Sequence, residues 1–187
     1  LFDNPYKYCD TKRRKKDIYT DENRAEARRI AAETFVMLKN DNNLLPLQKK
    51  GKIALIGPLA NTRANMAGTW CVAYTPDRYA TLLEAMQQAV GTNAEILYAQ
   101  GSNICRDEAL QVAAEFGKTI PRIDDAAAKA EALKVARDAD VIVCAMGECA
   151  DFSGESSSRA TLEMPDVQRE LLADLVTLGK PVVLLHF

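Results

Sequence analysis

Three short apolar runs constrain the fold of this chain more than any other feature of its sequence. They are rich in β-branched residues and span Lys52–Pro58, Val141–Met146 and Pro181–Leu185. A continuous apolar run of this length is typical of a strand that is buried on both faces, and such strands belong to parallel sheets covered by helices. The sequence therefore predicts an α/β fold, with a mostly parallel sheet sandwiched by helices on both faces.

The segments between these runs carry apolar residues at helical spacing. Helices are predicted from Asp21 to about Lys39, with Thr20 or Asp21 as the cap, and over 81–90, 124–137 and 165–178, while 95–99 reads as a further strand. Residues 1–20 lack sustained apolar periodicity and contain the basic run Lys12–Lys16, which we interpret as part of a solvated linker. We expect the domain itself to occupy residues 21–187. Because the chain begins without methionine and stops just after an apolar run, we also expect a fragment, truncated at its C-terminal end.

Charge and cysteine usage exclude several functional classes. The formal net charge of −2 gives no overall attraction to nucleic acid or to anionic membranes, and no apolar run approaches the roughly 20 residues that a membrane helix needs. The five cysteines contain no C-x-x-C pair and the chain has one histidine, so no metal site is predicted. The odd cysteine count leaves the redox compartment open.

The common nucleotide and hydrolase motifs are missing from the sequence. No G-x-G-x-x-G and no P-loop lysine follow the strand at Ile53, so we predict no dinucleotide, ATP or other cofactor. A G-x-S-x-G elbow is also missing, and His186, at the end of the last apolar run, is interpreted as structural.

A polar loop directly after Met146 is the strongest candidate for a site. It starts at Gly147 and carries Glu148, Asp151, Glu155, Arg159 and Glu163, beyond the predicted carboxyl end of a strand, where open α/β sheets keep their functional groups. Glycosidic cleavage needs a carboxyl group that protonates the leaving oxygen and a second carboxylate across the sugar. Gly154 would let Glu155 approach a ligand, and Arg159 could fix the loop by hydrogen bonds. Acidic loops are also often simply solvated, so these residues alone leave both interpretations open.

Longer motifs resemble one family of enzymes. The loop reads Gly147-Glu148, then Ser153-Gly154-Glu155-Ser156-Ser157-Ser158-Arg159, then Leu162-Glu163-Met164-Pro165 and Gln168, and it resembles the second domain of glycoside hydrolase family 3, the β-glucosidase and β-xylosidase family. The opening Leu1-Phe2-Asp3-Asn4-Pro5-Tyr6 is similar to the phrase that closes the family's first domain. Further segments that resemble the family are Ala31–Glu33, Leu38–Asn40, Asn43–Leu47 and Ile53–Pro58.

The resemblance implies a two-domain enzyme. Its first domain, a (β/α)₈-type barrel outside this chain, would carry an aspartate nucleophile, and residues 1–20 would link that barrel to the α/β sandwich. The resemblance assigns the acid/base role to Glu155, with Glu148 as the less favoured alternative. It also places Trp70, Tyr74 and Arg159 among the substrate-binding residues.

The function that the resemblance implies is retaining, exo-acting, β-glucosidase-like hydrolysis of terminal β-linked sugars, with an oligosaccharide or β-glycoside as substrate. The N-terminal barrel of the same protein is the implied partner, a homodimer is left open, and the implied location is periplasmic or secreted. The chain by itself is expected to be inactive. The alternative hypothesis is a non-catalytic sugar-binding or interaction module of the same fold.

Overall fold

The computed structural model describes residues 4–63, 75–109, 121–149, 152, 154, 155 and 157–187. The chain divides into two compact units, Leu1–Pro46 and Leu47–Phe187. The predicted division into a linker over 1–20 and a domain over 21–187 stays a prediction. Among the described residues, every helix is too short or too polar to cross a membrane.

Helices α1 (Arg14–Asp17) and α2 (Asp21–Glu33) belong to the first unit, with short 3₁₀ turns at Thr11–Arg13 and Asp41–Asn43. Helix α2 begins as predicted, because the Thr20 hydroxyl accepts a hydrogen bond from the Asn23 N–H (3.1 Å). It ends at Glu33, so the predicted extension to Lys39 is wrong. The Thr34 hydroxyl donates to the Ala31 carbonyl (2.7 Å), and this side-chain bond competes with continuation of the helix.

The second unit is built on a four-stranded parallel sheet. Its strands are β1 (Gly51–Ile56), β2 (Ala94–Ala99), β3 (Val141–Met146) and β4 (Val182–His186), in the spatial order β2-β1-β3-β4. Helices α3 (Leu82–Val90), α4 (Asp125–Asp138) and α5 (Asp166–Val176) belong to this unit, and a 3₁₀ turn covers Pro76–Arg78. The predicted fold class is confirmed, and all four predicted strands are present.

The core lies between the sheet and the pair α4 and α5. Its side chains are almost completely inaccessible to solvent and include Ala54, Ile56, Ala132, Ala136, Ile142, Cys144, Met146, Leu171 and Leu175. The small residues Ala132 and Ala136 let α4 approach the sheet closely. In the strand order β2-β1-β3-β4, the connection from β1 to β2 runs towards one edge of the sheet and the connection from β2 to β3 runs towards the other. Because both connections are right-handed, α3 lies on the face of the sheet opposite to α4 and α5. Leu55 and Val143 are buried on that face.

Candidate active-site loop

The loops that follow β1, β2 and β3 leave the sheet at one edge, because the three strands are parallel. Five buried side chains from these loops pack together: Leu59 after β1, Ile104 and Cys105 after β2, and Cys149 and Phe152 after β3. We call this group the loop cluster. It gives the polar loop after β3 an apolar base, so that loop is supported by its neighbours.

Gly147 is the residue at which the chain turns out of β3. Its φ of +145° lies in a region that favours glycine, and a Cβ atom there would lie 2.7 Å from the backbone nitrogen of Phe187. The Phe187 N–H donates to the Met146 carbonyl (2.9 Å), and the Glu148 N–H donates to the Phe187 carbonyl (3.2 Å). Pairing with β4 therefore continues past the end of β3, and it requires a residue without a side chain at this position.

The side chain of Gln168 forms hydrogen bonds with the backbone of Gly147. Its Oε1 accepts a hydrogen bond from the Gly147 N–H (2.8 Å), and its Nε2 donates to the carbonyl oxygens of Gly147 (2.8 Å) and Ile104 (2.7 Å). The residue is completely buried on α5. Sequence reasoning noted Gln168 only as part of a motif and missed this role. A signal was present, because Gln168 precedes Leu171 and Leu175 on one helical face, where an apolar residue would be expected.

Arg159 connects separate parts of the loop through its guanidinium group. Its guanidinium forms an ion pair with Glu148 (2.8 Å), donates to the Glu163 carbonyl (2.8 Å) and lies over the Phe152 ring, 4.9 Å from the ring centroid. The two charged side chains are about one-third exposed, at 28% for Arg159 and 34% for Glu148. The structure thus brings two of the predicted site residues into direct contact and joins both of them to the loop cluster through Phe152.

Glu155 lies in the exposed part of the loop, in the turn that follows Gly154. The turn is held by a backbone hydrogen bond from the Ser157 N–H to the Gly154 carbonyl (3.3 Å). Within the part of the chain that the structure describes, the Glu155 carboxyl group has no hydrogen-bond or ion-pair partner. The other two predicted substrate contacts, Trp70 and Tyr74, lie outside the described residues.

Of the buried thiols near this edge of the sheet, Cys144 and Cys105 are not suited to nucleophilic chemistry. Burial raises the pKa of Cys144 to about 12. Burial is also the largest cause of the raised pKa of Cys105, whose thiol lies 3.3 Å from the Asp107 carbonyl. A thiol is nucleophilic as the thiolate, so these groups are unreactive near neutral pH. Over the described ranges, no three His, Cys, Asp or Glu side chains lie close enough together to hold a metal ion.

The loop after β2 is also tied to the start of α5 by charged groups. Arg106 forms ion pairs with Glu170 (2.8 Å) and with Asp166. The hydrogen bonds that its guanidinium donates to these two carboxylates, that to Glu170 first, raise its pKa. This connection is exposed and therefore contributes little to stability, but it joins the same elements that Gln168 links in the interior.

Comparison with known proteins identifies the family. The model of the glycosyl hydrolase family 3 C-terminal domain matches residues 35–187. A periplasmic β-glucosidase of Salmonella typhimurium is 37% identical over 98% of this chain and 25% of its own length, and a β-xylosidase of Formosa agariphila is 34% identical over 98% of this chain and 24% of its own.

Solved structures agree with the sequence relatives. A β-glucosidase from Listeria innocua in complex with gluconolactone superposes with a TM-score of 0.76, at 32% identity, over 100% of this chain and 23% of that protein. A β-glucosidase involved in saponin metabolism from intestinal bacteria gives a TM-score of 0.76 at 30% identity, over 95% of this chain and 26% of that protein. The chain spans about a quarter of the length of these relatives. It therefore belongs to glycoside hydrolase family 3, and its fold is that of the family's C-terminal domain.

Proposed function

We propose that this chain is the second domain of a retaining, exo-acting β-glycosidase with β-glucosidase-like specificity, and that Glu155 is the acid/base residue. The observation that carries the assignment is the different surroundings of the two candidate glutamates. Glu148 is held by Arg159 in an ion pair, whereas Glu155 is exposed and has no charged partner among the described residues. An acid/base residue gives up and regains a proton in every cycle, which suits a carboxyl group without a fixed cation beside it.

The mechanism divides between two domains. An aspartate on a barrel domain outside this chain attacks the anomeric carbon while Glu155 protonates the departing oxygen. Glu155 then removes a proton from the water that releases the sugar. In retaining enzymes the two carboxyl groups lie about 5–5.5 Å apart, so Glu155 must project from this domain towards the barrel. Its position on an exposed turn supports that geometry.

The remaining residues serve binding and loop shape. We propose that Trp70 and Tyr74 contact the sugar, since an aromatic ring can stack on the apolar face of a pyranose. Arg159 supports the loop through Glu148, the Glu163 carbonyl and Phe152, and its contact with substrate stays a prediction. The substrate is a β-glycoside or oligosaccharide with a terminal β-linked sugar. A periplasmic or secreted location is proposed because one relative is a periplasmic enzyme.

The test uses the full-length enzyme with Glu155→Ala and Glu148→Ala. Loss of the acid should cripple hydrolysis of β-glucosides with poor leaving groups, such as alkyl glucosides, and spare dinitrophenyl β-glucoside, whose leaving group needs no proton. Added azide should accelerate the second step of the Glu155 variant by replacing the activated water. The reverse pattern, with this signature in Glu148→Ala alone, would move the role to Glu148.

The isolated chain provides a second test. Because the nucleophile is absent from it, the purified 187-residue chain should not hydrolyse an aryl β-glucoside. Turnover by this chain alone would contradict the division of the site between two domains. Saccharide binding by the isolated chain, combined with normal turnover in full-length Glu155→Ala, would instead support the non-catalytic binding module.

A further inference from the structure

We propose that Gln168 is a positioning residue for hydrolysis, because its side-chain amide fixes the direction in which the loop carrying Glu155 leaves the sheet. The inference rests on the proposed acid/base role of Glu155. It assigns a function to a buried polar side chain on α5 that touches neither the substrate nor Glu155 directly.

The hydrogen bonds of Gln168 are those of a short piece of a neighbouring strand. Its amide accepts from the Gly147 N–H and donates to the Gly147 carbonyl, both at 2.8 Å, so both polar groups of that residue's backbone are engaged by one side chain. The second Nε2 hydrogen serves the Ile104 carbonyl at 2.7 Å. A buried amide is stable only when its donors and acceptors are satisfied, and here both donors and one acceptor are used.

Gly147 is the point where a small rotation has the largest consequence. It has no side chain that packing could hold, and its φ of +145° is not one that most residues adopt. Its conformation is therefore set by the hydrogen bonds around it. These come from Gln168 on α5 and, on the residues to either side, from the backbone of Phe187, which directly follows β4.

A continuous series of contacts leads from Gly147 into the loop. Glu148 follows it directly and holds Arg159, and Arg159 in turn holds the Glu163 carbonyl at the far end of the loop. Glu155 lies between these anchors in sequence. A rotation of the Gly147 peptide groups would therefore change the direction in which the chain enters this loop. A displacement of about 1 Å at a reacting group can cost about 10²-fold in rate, so the orientation of Gly147 bears directly on catalysis.

The experiment compares Gln168→Met and Gln168→Asn in the full-length enzyme. Methionine fills a similar volume without the three hydrogen bonds, and asparagine keeps the amide but is one methylene too short to reach all its partners. Leu175→Ala is the matched control, because it weakens the packing of the same helix in the same core and has no polar link to the loop. kcat/KM is measured for an alkyl β-glucoside and for dinitrophenyl β-glucoside, at a temperature where unfolding curves show each variant to be folded.

Both Gln168 variants should lose activity selectively. We expect kcat/KM for the alkyl glucoside to fall by about 10²-fold in Gln168→Met. The fall for the dinitrophenyl glucoside should be much smaller, because that substrate does not need a well-placed acid. Gln168→Asn should show the same selectivity to a lesser degree. Leu175→Ala should change the two substrates in equal proportion.

The outcomes separate this inference from the proposed function. If Glu155→Ala is selective for the leaving group and the folded Gln168 variants are not, Gln168 is no positioning residue and only this inference fails. If Glu155→Ala shows no selectivity, the proposed function fails first. Failure of both Gln168 variants to fold would also overturn the inference, since Gln168 would then serve the stability of the domain.

Discussion

Replacement of Gly147 by alanine should destabilise the domain, and the loss of free energy can be worked out from the contacts around this residue. In Gly147→Ala the new Cβ would overlap the carbonyl group of Phe187, lying 2.8 Å from its carbon and 2.7 Å from the residue's nitrogen. All the overlapping atoms belong to the backbone of Phe187, the residue that follows β4, so no side-chain rotation can relieve the contact. The backbone of β3 or of β4 must move instead.

Three contributions make up the cost. An alanine held in this region of φ is strained by about 1–3 kcal/mol. Separation of the two backbones breaks the hydrogen bonds that join Met146 and Glu148 to Phe187, each of which contributes about 0.5–1.5 kcal/mol. Any rotation of Gly147 also leaves the buried amide of Gln168 short of a partner, at about 1–3 kcal/mol. We expect the free energy of unfolding to fall by at least about 3 kcal/mol, which is the sum of the lower ends of these ranges.

The assay is urea unfolding of the 187-residue chain, followed by far-ultraviolet circular dichroism. Gly179→Ala is the matched control, because Gly179 also has a positive φ (+68°) but an added Cβ would meet nothing within 4 Å. That variant should lose only the conformational contribution, about 1–2 kcal/mol. If the two variants lost the same free energy within about 0.5 kcal/mol, Gly147 would be a turn residue like any other. The argument that it must lie against the end of β4 would then be wrong.

Two further predictions concern the loop and the core. In a double-mutant cycle with Glu148→Gln and Arg159→Met, urea unfolding should give a coupling energy of about 1 kcal/mol, because the ion pair is short but both side chains are partly exposed. A coupling near zero would mean that this pair does not close the loop. Cys9 is exposed, whereas burial raises the pKa of Cys144 to about 12, so iodoacetamide at pH 8 should alkylate Cys9 rapidly and Cys144 only as fast as the domain opens. Peptide mapping by mass spectrometry measures both rates, and equal rates would refute the burial argument.

The centre of the sheet could be predicted from the sequence because β1 and β3 are buried along most of their length. The apolar run of β4 predicts a strand buried on both faces, but β4 lies at the edge of the described sheet and Leu184 is exposed. The run Val141–Met146 contains no polar residue, and the strand β3 has the same bounds. The end of α2 could not be predicted in this way. Apolar spacing continues through Phe35 and Leu38, but periodicity does not register the hydroxyl of Thr34, which bonds to the Ala31 carbonyl where the helix closes. The apolar side chains beyond it, such as Phe35 at 83% exposure, do not cover a core of the described chain.

The candidate site was predictable only in part. Position after a strand pointed to the loop, and the family resemblance singled out Glu155 within it. Glu148 differs from Glu155 because it forms an ion pair with Arg159. Neither the charge pattern nor the spacing of the sequence shows which carboxylate the guanidinium binds. Gln168 is a different case, because its polar side chain interrupts the apolar face that continues with Leu171 and Leu175. A buried amide could have been expected there, but its partner is a backbone 21 residues earlier in the chain.

The glycines at the ends of β1 and β3 explain why the loops gather at one place. A Cβ atom on Gly57 would lie 2.7 Å from the carbonyl carbon of Ala145 on β3, just as one on Gly147 would lie 2.8 Å from that of Phe187 beyond β4. At each strand end the chain therefore passes against the backbone of the next strand in the order β1-β3-β4. Both loops are shifted in the same direction across the sheet, and Leu59 from the first and Phe152 from the second belong to the same loop cluster. The placement of the loop that carries Glu155 thus depends on close backbone contact at two successive strand ends, and a side chain at either glycine should disturb it.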